Sequence, residues 1–137
     1  MPICCILIVL FALTASVSGQ CVPSSTAAGA IDTCFGTNGT VTTDITADRD
    51  YSRALALQSD GKIVVAGISG YSATAANADF TVVRYNTDGS LDTTFDGDGI
   101  VITDIGPRTN DDDYCRGMAI QPDGKIIIGG RSFLSPT

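Results

Sequence analysis

The sequence predicts an all-β fold built from four-stranded antiparallel units that repeat about every 60 residues. Two observations support this prediction. A long motif occurs twice in the chain, and self-similarity at a fixed period is typical of repeat architectures. The apolar segments are short, rich in Val, Ile and Thr, and separated by Gly and Asp, which favours strands joined by tight turns over helices.

The repeat is evident when the chain is aligned with itself. Ile31–Phe35 returns as Leu91–Phe95, an offset of 60 residues. Further along, Gln58–Lys62 returns as Gln121–Lys125, an offset of 63 residues, because three residues are inserted around Asp111–Asp113. Two dense blocks of identity separated by one insertion indicate a tandem duplication.

The chain therefore divides into four segments. Residues 1–19 form a predicted signal peptide, residues 20–30 a flexible N-terminal segment, and residues 31–90 the first repeat. Residues 91–137 form a second repeat that is incomplete, because it has no counterpart of Asp79–Tyr85.

Each complete repeat is expected to contain four strands, which in the first copy are Gly39–Ile45, Arg53–Gln58, Lys62–Ala66 and Asp79–Tyr85. The core of the third segment, Ile63–Val65, is continuously apolar. This pattern predicts a strand that is covered on both faces of its sheet. Four strands per repeat without an intervening helix is the pattern of a β-propeller blade.

The hairpin at the centre of each repeat has a specific turn chemistry. Pro122 presets φ for the second position of a type I turn, and Gly124 accepts the left-handed conformation that follows. We therefore predict a three-residue loop with a G1 bulge. The first copy has Ser59 in place of the proline, which the same geometry tolerates.

The repeat resembles the delta-60 repeat family. The resemblance is carried by Tyr85–Phe95, Gly99–Val101 and Gln121–Ile126, and with their partners in the first copy these motifs cover roughly residues 31–131. It implies a β-propeller-like architecture, here an incomplete propeller of about two blades. Proteins of this family usually carry many repeats and are often extracellular, and the resemblance implies no shared activity.

Fewer than two full repeats are expected to be too few for a closed fold, because repeat proteins need about three units for stability. We therefore expect either that the chain is a truncated fragment of a longer propeller or that it self-associates. Its expected partners are further repeats, copies of itself and an unknown ligand.

The N-terminus predicts secretion to an extracellular location. Ile3–Ala15 is an almost unbroken apolar run that ends in Val17-Ser18-Gly19, which is typical of a signal peptide cut after Gly19. No membrane association is expected after cleavage, whereas a retained membrane anchor is the alternative. Met1-Pro2 supplies no basic side chain, which is atypical of a signal peptide.

Cleavage would remove Cys4 and Cys5 and leave three cysteines in an oxidising compartment. Cys21 and Cys34 flank a small-residue segment and are the candidate disulfide. Cys115 is then left over, and is either buried in a strand or available to another chain.

Several residues are candidates for ligand sites or modification. Asp96 and Asp98 are weak calcium candidates, but the pattern around them departs from an EF-hand, and Asp-Gly alternation is typical of ordinary turns. No other cofactor is indicated, and without histidine or a CxxC motif no zinc site is expected. Asn38 begins a glycosylation sequon. Asp111–Asp113 is expected to be a solvated loop.

The aspartates and arginines that recur in both copies are expected to be structural. The aspartates should accept hydrogen bonds from turn amides, and the arginines should bridge strands or pair with the aspartates. They are Asp32/Asp92, Asp44/Asp104, Asp60/Asp123 and Arg53/Arg116.

The sequence mainly indicates which classes of function to exclude. The formal net charge of −7 argues against nucleic acid as a partner. No catalytic residue pattern is present, so the sequence favours a non-catalytic scaffold or binding module. The alternative is part of an extracellular propeller-type hydrolase or lyase whose site needs further repeats.

Overall fold

The computed structural model describes residues 6–9, 27–72, 77–105 and 112–132. Within these residues all regular secondary structure is β, which confirms the predicted fold class. The strands are β1 (Ile6–Val9), β2 (Thr40–Thr43), β3 (Arg49–Leu57), β4 (Ile63–Tyr71), β5 (Asp79–Tyr85), β6 (Ile100–Thr103), β7 (Asp113–Ile120) and β8 (Ile126–Ser132).

The described strands form three antiparallel sheets, with orders β1-β2, β3-β4-β5-β6 and β7-β8. The four-stranded sheet takes β3, β4 and β5 from the first repeat and β6 from the second. The four strands of one sequence repeat therefore do not form one sheet. β2, the first strand of repeat one, pairs with β1 instead of with β5.

The strand bounds differ from the predicted ones in an informative way. β5 has the predicted bounds, whereas β3 begins four residues earlier than predicted and β4 continues to Tyr71. The extension contains Gly67, Ser69 and Gly70, which resemble loop residues in the sequence. They remain in the sheet because the β3–β4 ladder shifts register at irregularities, which lets the pairing reach Arg49 opposite Tyr71.

The predicted hairpin geometry is confirmed in both copies. Gly61 and Gly124 each have φ 84°, in the left-handed region that glycine adopts without strain. The Gln58 N–H donates to the Lys62 carbonyl at 2.9 Å, and the Gly61 N–H donates to the Gln58 carbonyl at 2.9 Å. Asp60 Oδ1 accepts the Lys62 N–H at 3.1 Å.

The central sheet has an apolar cluster on each face. Side chains alternate across a strand, so Ile63 and Val65 lie on one face of β4 and Ala66 and Ile68 on the other. The first cluster consists of Phe35, Ile63, Val65, Val83 and Tyr85. The second consists of Ala66, Ile68, Ala78, Phe80 and Cys115. Coverage of Ile63–Val65 on both faces is thereby confirmed, with residues of the preceding and following segments supplying the cover.

β1 occupies a blade position on β2. Ile6–Val9 pairs with Thr40–Thr43 in the register in which Phe80–Val83 pairs with Ile100–Thr103. The backbone of β1 thus takes the place of the third strand of a preceding blade. β1 lies inside the predicted signal peptide, whose cleavage stays a prediction, and cleavage would expose the edge of β2.

Candidate functional site

The acidic stretch Asp111–Asp113 was predicted to be a solvated loop, and this is wrong for Asp113, whereas Asp112 precedes the strand and is partly exposed. Asp113 opens β7 and has no exposed surface. Asp112 Oδ1 accepts the backbone N–H groups of Asn77 and Ala78 at 2.8 and 3.1 Å. The stretch is ordered because it lies against the strand end that begins β5. Asp111 lies outside the described residues.

Three carboxylates converge beside this strand end. Asp79 is the first residue of β5, Asp104 follows β6, and Asp113 is the first residue of β7. One oxygen of each lies within 4.8 Å of an oxygen of each of the other two. Asp79 is half-buried, Asp104 is exposed and Asp113 is buried. We call these three residues the junction triad, because they connect the four-stranded sheet to β7.

The junction triad concentrates negative charge. Burial raises the pKa of Asp79 above its ordinary value, and the neighbouring carboxylates of Asp104, Asp113 and Asp112 raise it further. Neither Asp79 nor Asp113 forms an ion pair with a described residue, since the described pairs involve Lys62, Arg84 and Lys125. The arrangement therefore favours protonation or a bound cation.

Asp50 is the counterpart of Asp113 in the first repeat, and its carboxylate is fully satisfied. Oδ2 accepts the Ile45 N–H at 2.9 Å. Oδ1 accepts the Thr46 hydroxyl at 3.0 Å and lies 3.4 Å from the Gly70 N–H. A buried carboxylate with this many donors is stable without a cation.

Within the described residues, only one carboxylate oxygen of Asp113 accepts a hydrogen bond equivalent to those of Asp50. Its Oδ2 accepts the Ile105 N–H at 2.8 Å, which is the equivalent of the bond to Asp50. Its Oδ1 is buried and receives no hydrogen bond from any described residue. The sequence explains part of the difference, because the counterpart of Thr46 is Gly106, which has no hydroxyl to donate.

A second polar cluster surrounds Asp92, which is 3% exposed. Its Oδ2 accepts the Lys62 ammonium at 2.8 Å and the Arg84 Nε–H at 2.7 Å. Its Oδ1 accepts the Thr94 hydroxyl at 2.6 Å and the Thr94 N–H at 3.1 Å. Both oxygens accept hydrogen bonds from β5 and the adjoining turns, so this cluster stabilises the fold.

Three of the other recurrent aspartates, Asp32, Asp60 and Asp123, accept hydrogen bonds from turn amides, as predicted. Asp32 Oδ1 accepts the Cys34 N–H at 3.0 Å, and Asp123 Oδ1 accepts the Lys125 N–H at 3.2 Å. The recurrent arginines were predicted to bridge strands or to pair with these aspartates. The guanidinium of Arg53 lies 5.6 Å from the ring centroid of Tyr51. Within the described residues Arg53 forms no ion pair.

The weak calcium candidates lie in an ordinary turn. Asp96 has φ 52°, and Asp98 Oδ1 accepts the Ile100 N–H at 2.8 Å. Neither belongs to the junction triad, which is the group of three converging acidic side chains among the described residues.

Asn38 is exposed with φ 54°, in the turn that leads into β2, and its glycosylation stays a prediction.

The structure describes two of the cysteines, Cys34 and Cys115. Cys34 is disulfide-bonded. Its partner lies outside the described residues, as does Cys21, so the Cys21–Cys34 pairing stays a prediction. Cys115 is a free thiol with 1% exposure in β7, which favours the buried alternative for this residue. Burial raises its pKa.

Sequence reasoning missed the junction triad. Asp104 recurs as Asp44, so recurrence indicated structure and not a ligand site, and Asp113 was assigned to the inserted loop although it aligns with Asp50. Asp79 precedes an apolar strand and has no second copy in the chain. The available signal was the replacement of Thr46 by Gly106 beside a carboxylate that is otherwise retained.

A family model described as a domain of unknown function (DUF5122) beta-propeller matches residues 58–95 and 121–134. These segments contain the turns of both central hairpins, strands β4, β5 and β8, and the turn that carries Asp92. No curated protein and no solved structure is significantly similar to the chain. The described residues contain no helix that is long and apolar enough to cross a membrane. The match and the sheets together indicate propeller-type repeats of unknown function.

Proposed function

We propose that this chain is a secreted, non-catalytic binding scaffold of the delta-60 repeat type, whose incomplete blades are completed by further repeats or by copies of the same chain. The observation that carries the proposal is the unequal burial of equivalent strands. Val64 in β4 has no exposed surface, whereas its counterpart in β8, Ile127, is 50% exposed.

The difference has a simple structural origin. β4 pairs with β3 on one edge and β5 on the other. Among the described strands, β8 pairs with β7 alone. An apolar strand with an open edge is a template for another strand. The strand β8 thus has the sequence of a central strand and the surroundings of an edge strand.

The distribution of polar side chains favours scaffolding over catalysis. Both carboxylate oxygens of Asp92 and of Asp50 accept hydrogen bonds from neighbouring protein groups, and the turn aspartates accept hydrogen bonds from backbone amides. Such groups hold the backbone and offer no reactive atom to a substrate. The junction triad is the described cluster of three acidic side chains, and one of its members, Asp113, is buried away from solvent.

Completion of the second blade can be tested with the chain's own sequence. Ser69 and Ser132 are counterparts, so a copy of residues 70–105 fused after Ser132 continues the repeat in register. We expect the fusion to unfold at a higher temperature than the original chain and to self-associate less. A fusion that carries the same residues in scrambled order is the control. Equal behaviour of the two fusions would contradict the proposal.

Secretion is tested separately, by expressing the full chain in cells and sequencing the N-terminus of the protein recovered from the medium. We expect it to begin at Gln20. Retention of the intact N-terminus in a membrane fraction would contradict secretion and would favour a retained anchor. The ligand is best sought at the exposed loops, because exposed loops of a scaffold are the usual binding surfaces.

A further inference from the structure

We propose that the junction triad, Asp79, Asp104 and Asp113, binds a calcium ion that joins the four-stranded sheet to the β7–β8 sheet. The three residues come from the start of β5, the end of β6 and the start of β7. A single ion between them would bridge two consecutive repeats.

The spacing of the oxygens fits a shared cation. Calcium binds oxygen ligands at about 2.3–2.6 Å, so two oxygens on one ion lie no more than about 5 Å apart. The triad oxygens lie within 4.8 Å of one another, which satisfies this limit before any side chain moves. Asp104 is exposed and provides a route for the ion from solvent.

The buried oxygen of Asp113 is the independent sign of a ligand. Its Oδ1 has no exposed surface and no donor among the described residues. A buried carboxylate oxygen without a partner is strongly unfavourable, because burial removes its hydration. Asp50 shows what the repeat provides where no cation is needed, namely a threonine hydroxyl at 3.0 Å.

The ligand chemistry selects calcium over other common cations. The triad offers only carboxylate oxygens, which are hard ligands, and the chain has no histidine. Magnesium requires near-octahedral geometry at about 2.0–2.1 Å and gives up its waters reluctantly, so it is seldom held by an all-protein set of ligands. Calcium accepts six to eight ligands in flexible geometry, and waters can complete a shell that the protein fills only in part.

The position of the site defines its consequence. Asp113 also anchors β7 through its N–H, which donates to the Ala78 carbonyl. An ion on the triad would fix the start of β7 against the start of β5 and would neutralise the repulsion around Asp79. We therefore expect calcium to stabilise the junction between repeats, which is independent of what the scaffold binds.

The test is thermal unfolding of the purified chain after treatment with EDTA, with and without added CaCl₂, together with calorimetric titration. With a Kd of about 10⁻⁴ M, about 10 mM calcium should raise Tm by more than about 5 °C. Magnesium at the same concentration should have a much smaller effect. The variants Asp104→Asn and Asp79→Asn should lose the calcium response while remaining folded without calcium.

Asp96→Asn is the matched control, because it removes the same charge from an exposed turn and should keep the calcium response. No calcium-dependent shift in the original chain would overturn the proposal. A shift that survives in Asp104→Asn and Asp79→Asn would place the ion elsewhere and overturn it equally. An equal response to magnesium would overturn the assignment to calcium. None of these results bears on blade completion, which is measured without a metal.

Discussion

The ammonium of Lys62 lies 2.8 Å from Oδ2 of Asp92, and this ion pair ties the β3–β4 hairpin to the turn that precedes β6. Hydrogen bonds from Lys62, Thr94 and Arg84 hold the pKa of Asp92 well below its usual range, although burial acts in the opposite direction. The pair therefore joins the first sequence repeat to the strand that the second repeat contributes to its sheet.

The low pKa of Asp92 predicts a specific pH dependence. A carboxyl whose pKa is lower in the folded state stabilises the fold above its unfolded pKa of about 3.9, and that stability is lost as pH falls towards the folded pKa. Asp92→Asn should therefore be less stable than the original chain at pH 7, and the difference should shrink below about pH 4. Urea unfolding across this range measures it. Asp96→Asn, an exposed turn variant, should show no such difference, and a gap for Asp92→Asn that is constant down to pH 2 would contradict the role of the charge.

Replacement of Gly124 should strain the backbone without producing a steric clash. A Cβ at this position would contact nothing within 4 Å, but its φ of 84° is unfavourable for most residues. Gly124→Val should lower the free energy of unfolding by about 1–3 kcal/mol. Gly124→Asn should cost clearly less, because asparagine tolerates the left-handed region. Equal denaturation midpoints for the two variants would show that the hairpin does not require this backbone conformation.

At Gly67 a larger residue should be unfavourable because of a steric clash, in contrast to the backbone strain at Gly124. Its Cβ would lie 1.9 Å from the Tyr51 carbonyl oxygen across the β3–β4 ladder, where the register shifts. Gly67→Ala should destabilise the protein by about 1–3 kcal/mol, because the ladder must move to admit a methyl group. Gly129→Ala is the control, since nothing lies within 4 Å of its Cβ. Thermal unfolding separates the two, and similar melting temperatures would rule out the close approach.

Cys115 is predicted to be unreactive in the folded protein. It is 1% exposed among Phe80, Met118 and other apolar side chains, and burial raises its pKa, so little thiolate is available. Reaction with a thiol reagent at pH 8 should be at least about 100-fold slower in buffer than in guanidinium. Rapid labelling under native conditions would instead mean that β7 opens or that the thiol faces another chain.

Much of the architecture follows from local sequence chemistry. Glycine after aspartate specifies the hairpins, and the continuous apolar run Ile63–Val65 specifies a strand covered on both faces. The bounds of β3 and β4 were harder to predict, because Gly67 and Gly70 are weak strand formers that the ladder retains through cross-strand pairing. The assignment of β6 to the preceding sheet is a tertiary property that the period of the repeat does not encode.

The junction triad was beyond sequence reasoning for a similar reason. Asp79, Asp104 and Asp113 are distant in sequence and lie at the ends of three strands. Their proximity depends on β6 and β7 both meeting the start of β5. By contrast, the turn aspartates were predictable, because Asp32 and Asp123 act on amides two residues away.

The most direct test of blade completion is the molar mass of purified residues 20–137 by light scattering, recorded together with the far-UV circular dichroism spectrum. If the open edges of β2 and β8 need partners, a cooperative β-sheet spectrum should occur only with an oligomeric mass, and Ile127→Lys should lower that mass. Ile31→Lys, at a partly exposed residue outside the named strands, should leave it unchanged. A monomer that unfolds cooperatively as a β-sheet protein would contradict the claim that the chain requires completion.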